Sequence, residues 1–255
     1  PASALPAVAA RVMPEVMTAE LHETAAAKLS GAHADKLNLS ETAIEQALQL
    51  AARSDALAIG PGLTSDAHVR SLVRAVVERR TVPVVIDADG LNALAPWPAA
   101  LHGTPARPLI LTPHAGEMRR LTGADAEQDS LASRVRTARD FAVAHRLILV
   151  LKGARTLIAA PDGRVAVNPT GNAGTGTAGA GDTLTGIITG FIAQSRGALG
   201  DDMDAYAATI AAVYIAGLAS DLAAAAQGMR TLVASDISSY FGAAVRALDP
   251  AGERP

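Results

Sequence analysis

The run AGAGD, Ala178 to Asp182, ends where the apolar pattern of a helix, DTLTGIITGFIAQ, begins. Small residues at such a junction leave backbone amides uncovered at the positive end of a helix dipole, which suits a phosphate or another anion. Asp182 stands at the mouth of that cradle, where a carboxylate can take a proton from an attacking hydroxyl. Phosphoryl transfer asks for little more than an aligned nucleophile, a base, and donors for the equatorial oxygens. Asp is also a common N-cap, so the same residue reads as a structural helix start. The longer stretch NPTGNAGTGTAGAGDTLTG, 168–186, holds six glycines in nineteen residues. Its segment GTGTAG formally matches GxGxxG, but a dinucleotide fingerprint belongs to an early βαβ unit with a strand to follow, and here helices follow. A flexible surface linker is the remaining alternative for the stretch.

Four further loops carry unusual polar residues: GPGLTSD, DADGLN, TPHAGE and LKGART. Asp87 and Asp89 in DADG could order a Mg²⁺–water network, since Mg²⁺ uses few carboxylates and keeps several waters; a polar turn is the alternative. Of the six histidines, His114 alone follows a predicted strand within a motif, and none forms an HxxxH metal pair. His114 reads equally as a helix-start residue, and Glu117 three positions later as a capping carboxylate or a site residue. Lys152 ends a strand, where it is either solvated or part of the site. Gly62 needs no ligand to explain it, because Pro61-Gly62 is a tight-turn pair. Asn92, Asn168 and Asn172 are weaker candidates.

These loops need a scaffold that brings them together. Short apolar runs at 55–60, 82–87, 108–112 and 147–153 alternate with helical patterns at 40–53, 65–79, 114–123 and 130–145. Ser40 is the expected N-cap of the first helix, DADG is expected as a loop, and 156–167 reads as a hairpin turning at Asp162-Gly163. Three Ala-rich helices follow, near 182–194, 203–225 and 236–247, the second ending at Gly228. Nearly continuous apolar strands alternating with helices predict an α/β fold: a mostly parallel sheet covered on both faces, with ligands beyond the carboxyl ends of its strands.

Composition narrows the partners. The 255 residues are 49% hydrophobic, carry a net charge of −3, and show no basic cluster interleaved with aromatics, so no nucleic acid is expected. With no cysteine there is no thiolate metal site, disulfide or cysteine nucleophile. No export signal is read at the start, and no apolar run is seen to approach the roughly 18 residues that span a bilayer. The expectation is therefore a cytoplasmic protein, without a membrane partner, acting on a small ligand.

Taken in order, AIGPGL, VIDADGLNAL, TPHAGE, LKGART and GNAGTGTAGAGDTLTG resemble the NAD(P)H-hydrate dehydratase family, the nucleotide-repair branch of the ribokinase-like fold. The resemblance extends from about residue 10 to 247 and implies a three-layer αβα domain occupying 1–255. It implies ADP-dependent dehydration of NADHX and NADPHX, the 6-hydroxy forms of NADH and NADPH, and a homo-oligomer, often a tetramer. It assigns Asp182 as the base, and Gly179, Ala180 and Gly181 as the anion hole, with Gly181 also contacting nucleotide. Lys152, Gly153, Ala154, Arg155 and Thr156 match the ADP-binding stretch, where an ammonium beside a polyphosphate is physically reasonable. Gly62 and His114, with Asp182, match positions that contact the hydrated cofactor.

The sequence departs from the family pattern NAGMATGGSGD at Thr175 and Gly176, and at Ala178 and Ala180, which replace Gly and Ser; Thr64 stands where another glycine is usual. Family domains also begin with about fifty further residues holding a first βα unit, and many bacterial members are fused to an NAD(P)H-hydrate epimerase domain. The chain is accordingly expected to be N-terminally incomplete. A hydroxymethylpyrimidine- or hydroxyethylthiazole-type kinase of the same fold and a non-catalytic nucleotide-binding module are the alternatives.

Overall fold

The computed structural model describes residues 16–21, 41–123 and 130–248. In chain order these form α1 (Glu41–Ala51), β1 (Leu57–Ile59), α2 (Ala67–Glu78), β2 (Val84–Ile86), α3 (Ala88–Ala93), β3 (Leu109–Leu111), α4 (Ala115–Thr122), α5 (Leu131–His145), β4 (Ile148–Leu151), β5 (Leu157–Ala159), β6 (Val165–Val167), α6 (Ala180–Leu199), α7 (Ala205–Gln227) and α8 (Ala234–Leu248).

The central strands β2 to β5 are apolar throughout because both faces of the sheet are buried there, while the edge strands β1 and β6 are only partly buried. Successive side chains alternate faces: Val84, Ile86, Leu109, Leu111, Leu149 and Leu151 pack against α2 to α5, through residues such as Val73, Leu91, Met118 and Phe141. Val85, Ile110, Ile148, Val150 and Ile158 turn the other way, onto Ile188 and Ile192 of α6 and Tyr206 and Val213 of α7. The sheet runs in the order β1-β2-β3-β4-β5-β6, parallel through β4 and antiparallel for β5 and β6. Parallel strands added in one direction by right-handed crossovers place every connecting helix on the same face. The opposite face is left to the chain that follows the last strand, and α6 and α7 cover it. α8 packs outside them, burying Ile237 and Ala244.

The expected elements are present, with four refinements. Ser40 lies outside the described residues. DADG is not a loop: Asp87 is the N-cap of α3 and Ala88 to Ala93 are helical, with Ala88 held at φ 47. The helix expected from 182 starts at Ala180, behind Gly179 at φ 84, so Asp182 sits inside its first turn and is not its N-cap. The last correction concerns α7, 23 residues long with an 18-residue stretch of mean hydropathy 1.6, making it long and apolar enough to cross a bilayer. In this fold that apolar surface lies against the sheet and against α6 and α8.

Candidate active site

The parallel ladder aligns three loops side by side. The Asp87 amide donates to Ile59 O (3.1 Å), Thr112 N to Ile86 O (3.1 Å), and Lys152 N to Pro113 O (2.8 Å), so the pairing continues past the strand ends. Asp87, His114 and Lys152 therefore emerge together at the carboxyl edge of β2, β3 and β4.

Asp87 is the centre of a buried ionic cluster, at 1% exposure. Its Oδ1 accepts from Lys152 Nζ at 2.7 Å and its Oδ2 from Thr185 Oγ1 at 2.7 Å. Lys152 Nζ also lies 3.8 Å from Glu117 Oε2, so it is ion-paired and not a solvated strand end. Glu117 Oε2 accepts from the His114 amide (2.7 Å), and His114 Nδ1 accepts from the amides of Gly116 (2.9 Å) and Glu117 (3.4 Å), the last making a reciprocal capping box at the start of α4. His114 and Glu117 are thus structural caps that also border the site. The close approach of β1 and α3 depends on Gly60: at φ 132, a Cβ there would lie 1.8 Å from the Asp87 carbonyl oxygen.

The second wall is backbone. At the start of α6 the Ala180 amide turns back to Thr177 O at 3.3 Å. The Gly181 and Asp182 amides, second and third in the helix, have no intrahelical carbonyl within reach. Of the expected anion hole, Gly179 supplies the turn and Gly181 supplies a donor, with Asp182 N beside it. A Cβ on Gly181 would lie 3.4 Å from Lys152 Nζ and 3.7 Å from Asp87 Oδ2, so the helix start and the ionic cluster touch.

Between the two walls lies a cavity of about 890 Å³, lined by His114, the segment Lys152 to Thr156, Asn168, Asn172, Ala180 and Gly181. Leu184, Val213, Ala216 and Ile237 close its apolar side. A space of this size, apolar with a few converging polar groups, suits a nucleotide. Its floor is the 168–172 loop, which α7 holds. Thr170 Oγ1 donates to Tyr214 O (2.8 Å), Gly171 N to Asp221 Oδ2 (2.8 Å), and Asn172 Nδ2 to Asp221 Oδ1 (2.9 Å) and Ser220 Oγ (3.1 Å). Gly217 permits this contact, since a Cβ there would be 2.2 Å from Thr170 Oγ1.

The profile of the NAD(P)H-hydrate dehydratase family matches residues 2–242. The chain belongs to this family. It is 42% identical over 238 residues to the bifunctional NAD(P)H-hydrate repair enzyme Nnr of Moorella thermoacetica, covering 92% of this chain and 41% of that protein; it thus spans about two fifths of that relative's length. It is also similar to the crystal structure of the ADP/ATP-dependent NAD(P)H-hydrate dehydratase of Bacillus subtilis, co-crystallised with ATP/Mg²⁺ and soaked with CoA: TM-score 0.63, 33% identity, 78% of this chain and 71% of that one. A ribokinase-like superfamily protein of Enterococcus faecalis aligns with TM-score 0.61 at 28% identity, over 80% of this chain and 68% of the other. The fold is ribokinase-like.

Within this family member, the residues expected from sequence divide into three groups. His114, Lys152 to Thr156, Asn168, Asn172, Ala180 and Gly181 gather round the cavity. Asp182 is exposed and does not line it. Successive helical residues are about 100° apart, so with Ala180 and Leu184 on the cavity side and Thr185 on Asp87, Asp182 points past the ionic cluster to the far side of the turn. Gly62 is likewise exposed, at φ 74 and with open space where a Cβ would point, so its turn explains it and the cavity does not. Asp89 and Asn92 lie along α3: Asn92 Nδ2 donates to Asp89 Oδ1 (3.2 Å) and Asn92 Oδ1 accepts from Arg120 Nε (2.9 Å), beside a second cavity of about 470 Å³.

The expected Mg²⁺ role of Asp87 and Asp89 does not fit this arrangement. Both Asp87 oxygens are committed to Lys152 and Thr185, and Asp89 Oδ1 to Asn92. Sequence reasoning passed over Thr185, Gly217 and Asp221. Thr185 was readable as a polar residue one turn after Asp182 on an otherwise apolar helix; Gly217 and Asp221 lie in an Ala-rich stretch and carry no local signal.

Proposed function

We propose that this chain catalyses ADP-dependent dehydration of NADHX and NADPHX to NADH and NADPH, releasing AMP and phosphate. The observation that carries it is the start of α6, where the Gly181 amide and the Lys152 ammonium meet at one edge of a nucleotide-sized cavity, while Asp182 faces the opposite side of the same turn. ADP enters from the cavity and the hydrated nicotinamide from the Asp182 side.

The ring hydroxyl attacks the β-phosphorus of ADP, the bond from that phosphorus to the bridging oxygen breaks, and AMP leaves. Asp182 takes the hydroxyl proton, while amides and ammonium hold the charge on the equatorial oxygens. The ring nitrogen lone pair then expels phosphate, a far better leaving group than hydroxide, and loss of a proton from the adjacent carbon restores the dihydropyridine. Mg²⁺ would accompany the nucleotide and neutralise phosphate charge, as the Bacillus subtilis co-crystal with ATP/Mg²⁺ suggests for its own ligand. To the same reading belong a cytoplasmic location, a homo-oligomer such as a tetramer, and fusion to an epimerase domain, the last supported by the bifunctional name of the Moorella relative.

Incubation with hydrated NADH and ADP tests the reading, followed at the reduced-nicotinamide absorbance band. A dehydratase restores the band, a kinase phosphorylates an alcohol without restoring it, and a binding module does neither. Asp182→Asn should lower the rate by about 10²- to 10⁴-fold with ADP affinity within about twofold, because the side chain lies outside the nucleotide cavity. Normal turnover by this variant would rule out Asp182 as the base.

A further inference from the structure

We propose that Thr185 and Asp87 are positioning residues that hold the Lys152 ammonium at the phosphoryl end of the cavity, a role that rests on the cavity being the nucleotide site. A lysine alone is a poor fixed charge, because its long stem has many rotamers and its ammonium is strongly hydrated. Here the stem is given one direction. Lys152 Nζ is 2.7 Å from Asp87 Oδ1, and Asp87 cannot rotate away because its other oxygen accepts from Thr185 Oγ1 at 2.7 Å. The Asp87 backbone is fixed too, by its amide bond to Ile59 O and by the wedge of Gly60 against its carbonyl.

Thr185 comes from the same helix whose first turn presents the Gly181 amide, one turn further on. The hydroxyl therefore ties α6 to the sheet at the point where amide donor and ammonium must stay in register. Glu117 Oε2, at 3.8 Å from Nζ, supplies a second carboxylate on the other side. The ammonium is thus held between Asp87, Glu117 and the position a Cβ of Gly181 would approach. Asp87 and Thr185 do not line the cavity themselves; they act through Lys152.

Thr185→Val keeps the shape and removes the hydroxyl, leaving Asp87 Oδ2 buried without a donor. With the full chain, calorimetric affinity for ADP should weaken by about tenfold while affinity for adenosine, which has no phosphate, is unchanged. Thr185→Ser, which keeps the hydroxyl, should bind both as the unmodified chain does. A merely structural role would lower adenosine and ADP affinity together, and that result would overturn the proposal; so would an unaltered ADP affinity in Thr185→Val. Should Thr185→Val not fold, Asp87→Asn takes its place with the same expected split between ADP and adenosine. If the unmodified chain binds ADP yet restores no reduced nicotinamide, the dehydratase reading falls and this one stands; if it binds no ADP, both fall.

Discussion

The two walls that meet at the start of α6 are built from opposite materials. One is side chain: Asp87, Glu117 and Thr185, all buried, and the half-buried Lys152, joined by charge and hydrogen bonds. The other is backbone: the Gly179 turn and the amides of Gly181 and Asp182, where chemistry comes from the absence of side chains. Buried charges must be paired to be tolerated, so the first wall is sensitive to the loss of a polar atom. Exposed amides must be approachable, so the second is sensitive to the gain of a carbon.

Substitutions that add one methyl group probe the backbone beneath the side-chain wall, the floor and the backbone wall in turn. The largest effect is expected at Gly60, where Gly60→Ala would drive a Cβ to 1.8 Å from Asp87 O at a backbone φ of 132; loss of at least about 3 kcal/mol of stability should appear in chemical denaturation. Gly217→Ala should act more locally. Its Cβ would meet Thr170 Oγ1 at 2.2 Å and Thr170 C at 2.8 Å, displacing the 168–172 floor. ADP affinity by calorimetry should drop about a hundredfold, with a stability loss of about 1–2 kcal/mol. Gly181→Ala is gentler still, because Lys152 Nζ at 3.4 Å is the end of a flexible chain. Stability should hold or rise slightly, as alanine favours helix, while ADP binds about tenfold more weakly. If Gly181→Ala bound ADP normally, the backbone wall would not be the phosphate site.

The smallest effect lies outside both walls and serves as their control. His145 packs against Phe141, Trp97 and His102. Burial first, then the neighbouring His102, lowers its pKa below the ordinary 6.5. The unfolded chain therefore takes up a proton that the folded chain resists. The stabilisation is complete above about pH 6.5 and declines as pH falls toward the folded value. A melting-temperature series across that window should flatten in His145→Gln, with ADP affinity at neutral pH untouched.

The difference between the walls also explains what could be read in advance. The backbone wall announces itself locally, because six glycines within nineteen residues leading into an apolar helical pattern are visible in one glance along the chain. The central strands were equally legible: burial on both faces makes every position of β2 to β5 apolar, and the hairpin at Asp162-Gly163 carries its own turn signal, Gly163 sitting at φ 90. DADG misled because its composition is that of a turn, whereas the pairing of β2 with its neighbours and the room left by Gly60 start a short helix there. Asp182 misled because α6 begins two residues earlier than expected, at Ala180, which puts Asp182 inside the first turn, about 200° round the helix from Ala180.

Local chemistry along the chain determined the alternation of strands and helices, the glycine cradle and the family to which they belong, because each of these depends on residues within one turn or one strand of each other. Folding in three dimensions decided which groups became partners. Thr185 reaches Asp87 across 98 positions and Lys152 reaches it across 65, and Gly217 meets Thr170 only because α7 crosses the sheet face that the parallel strands leave open. No periodicity records such meetings, since they are set by how the sheet stacks its strand ends and how the last helices cover its bare face.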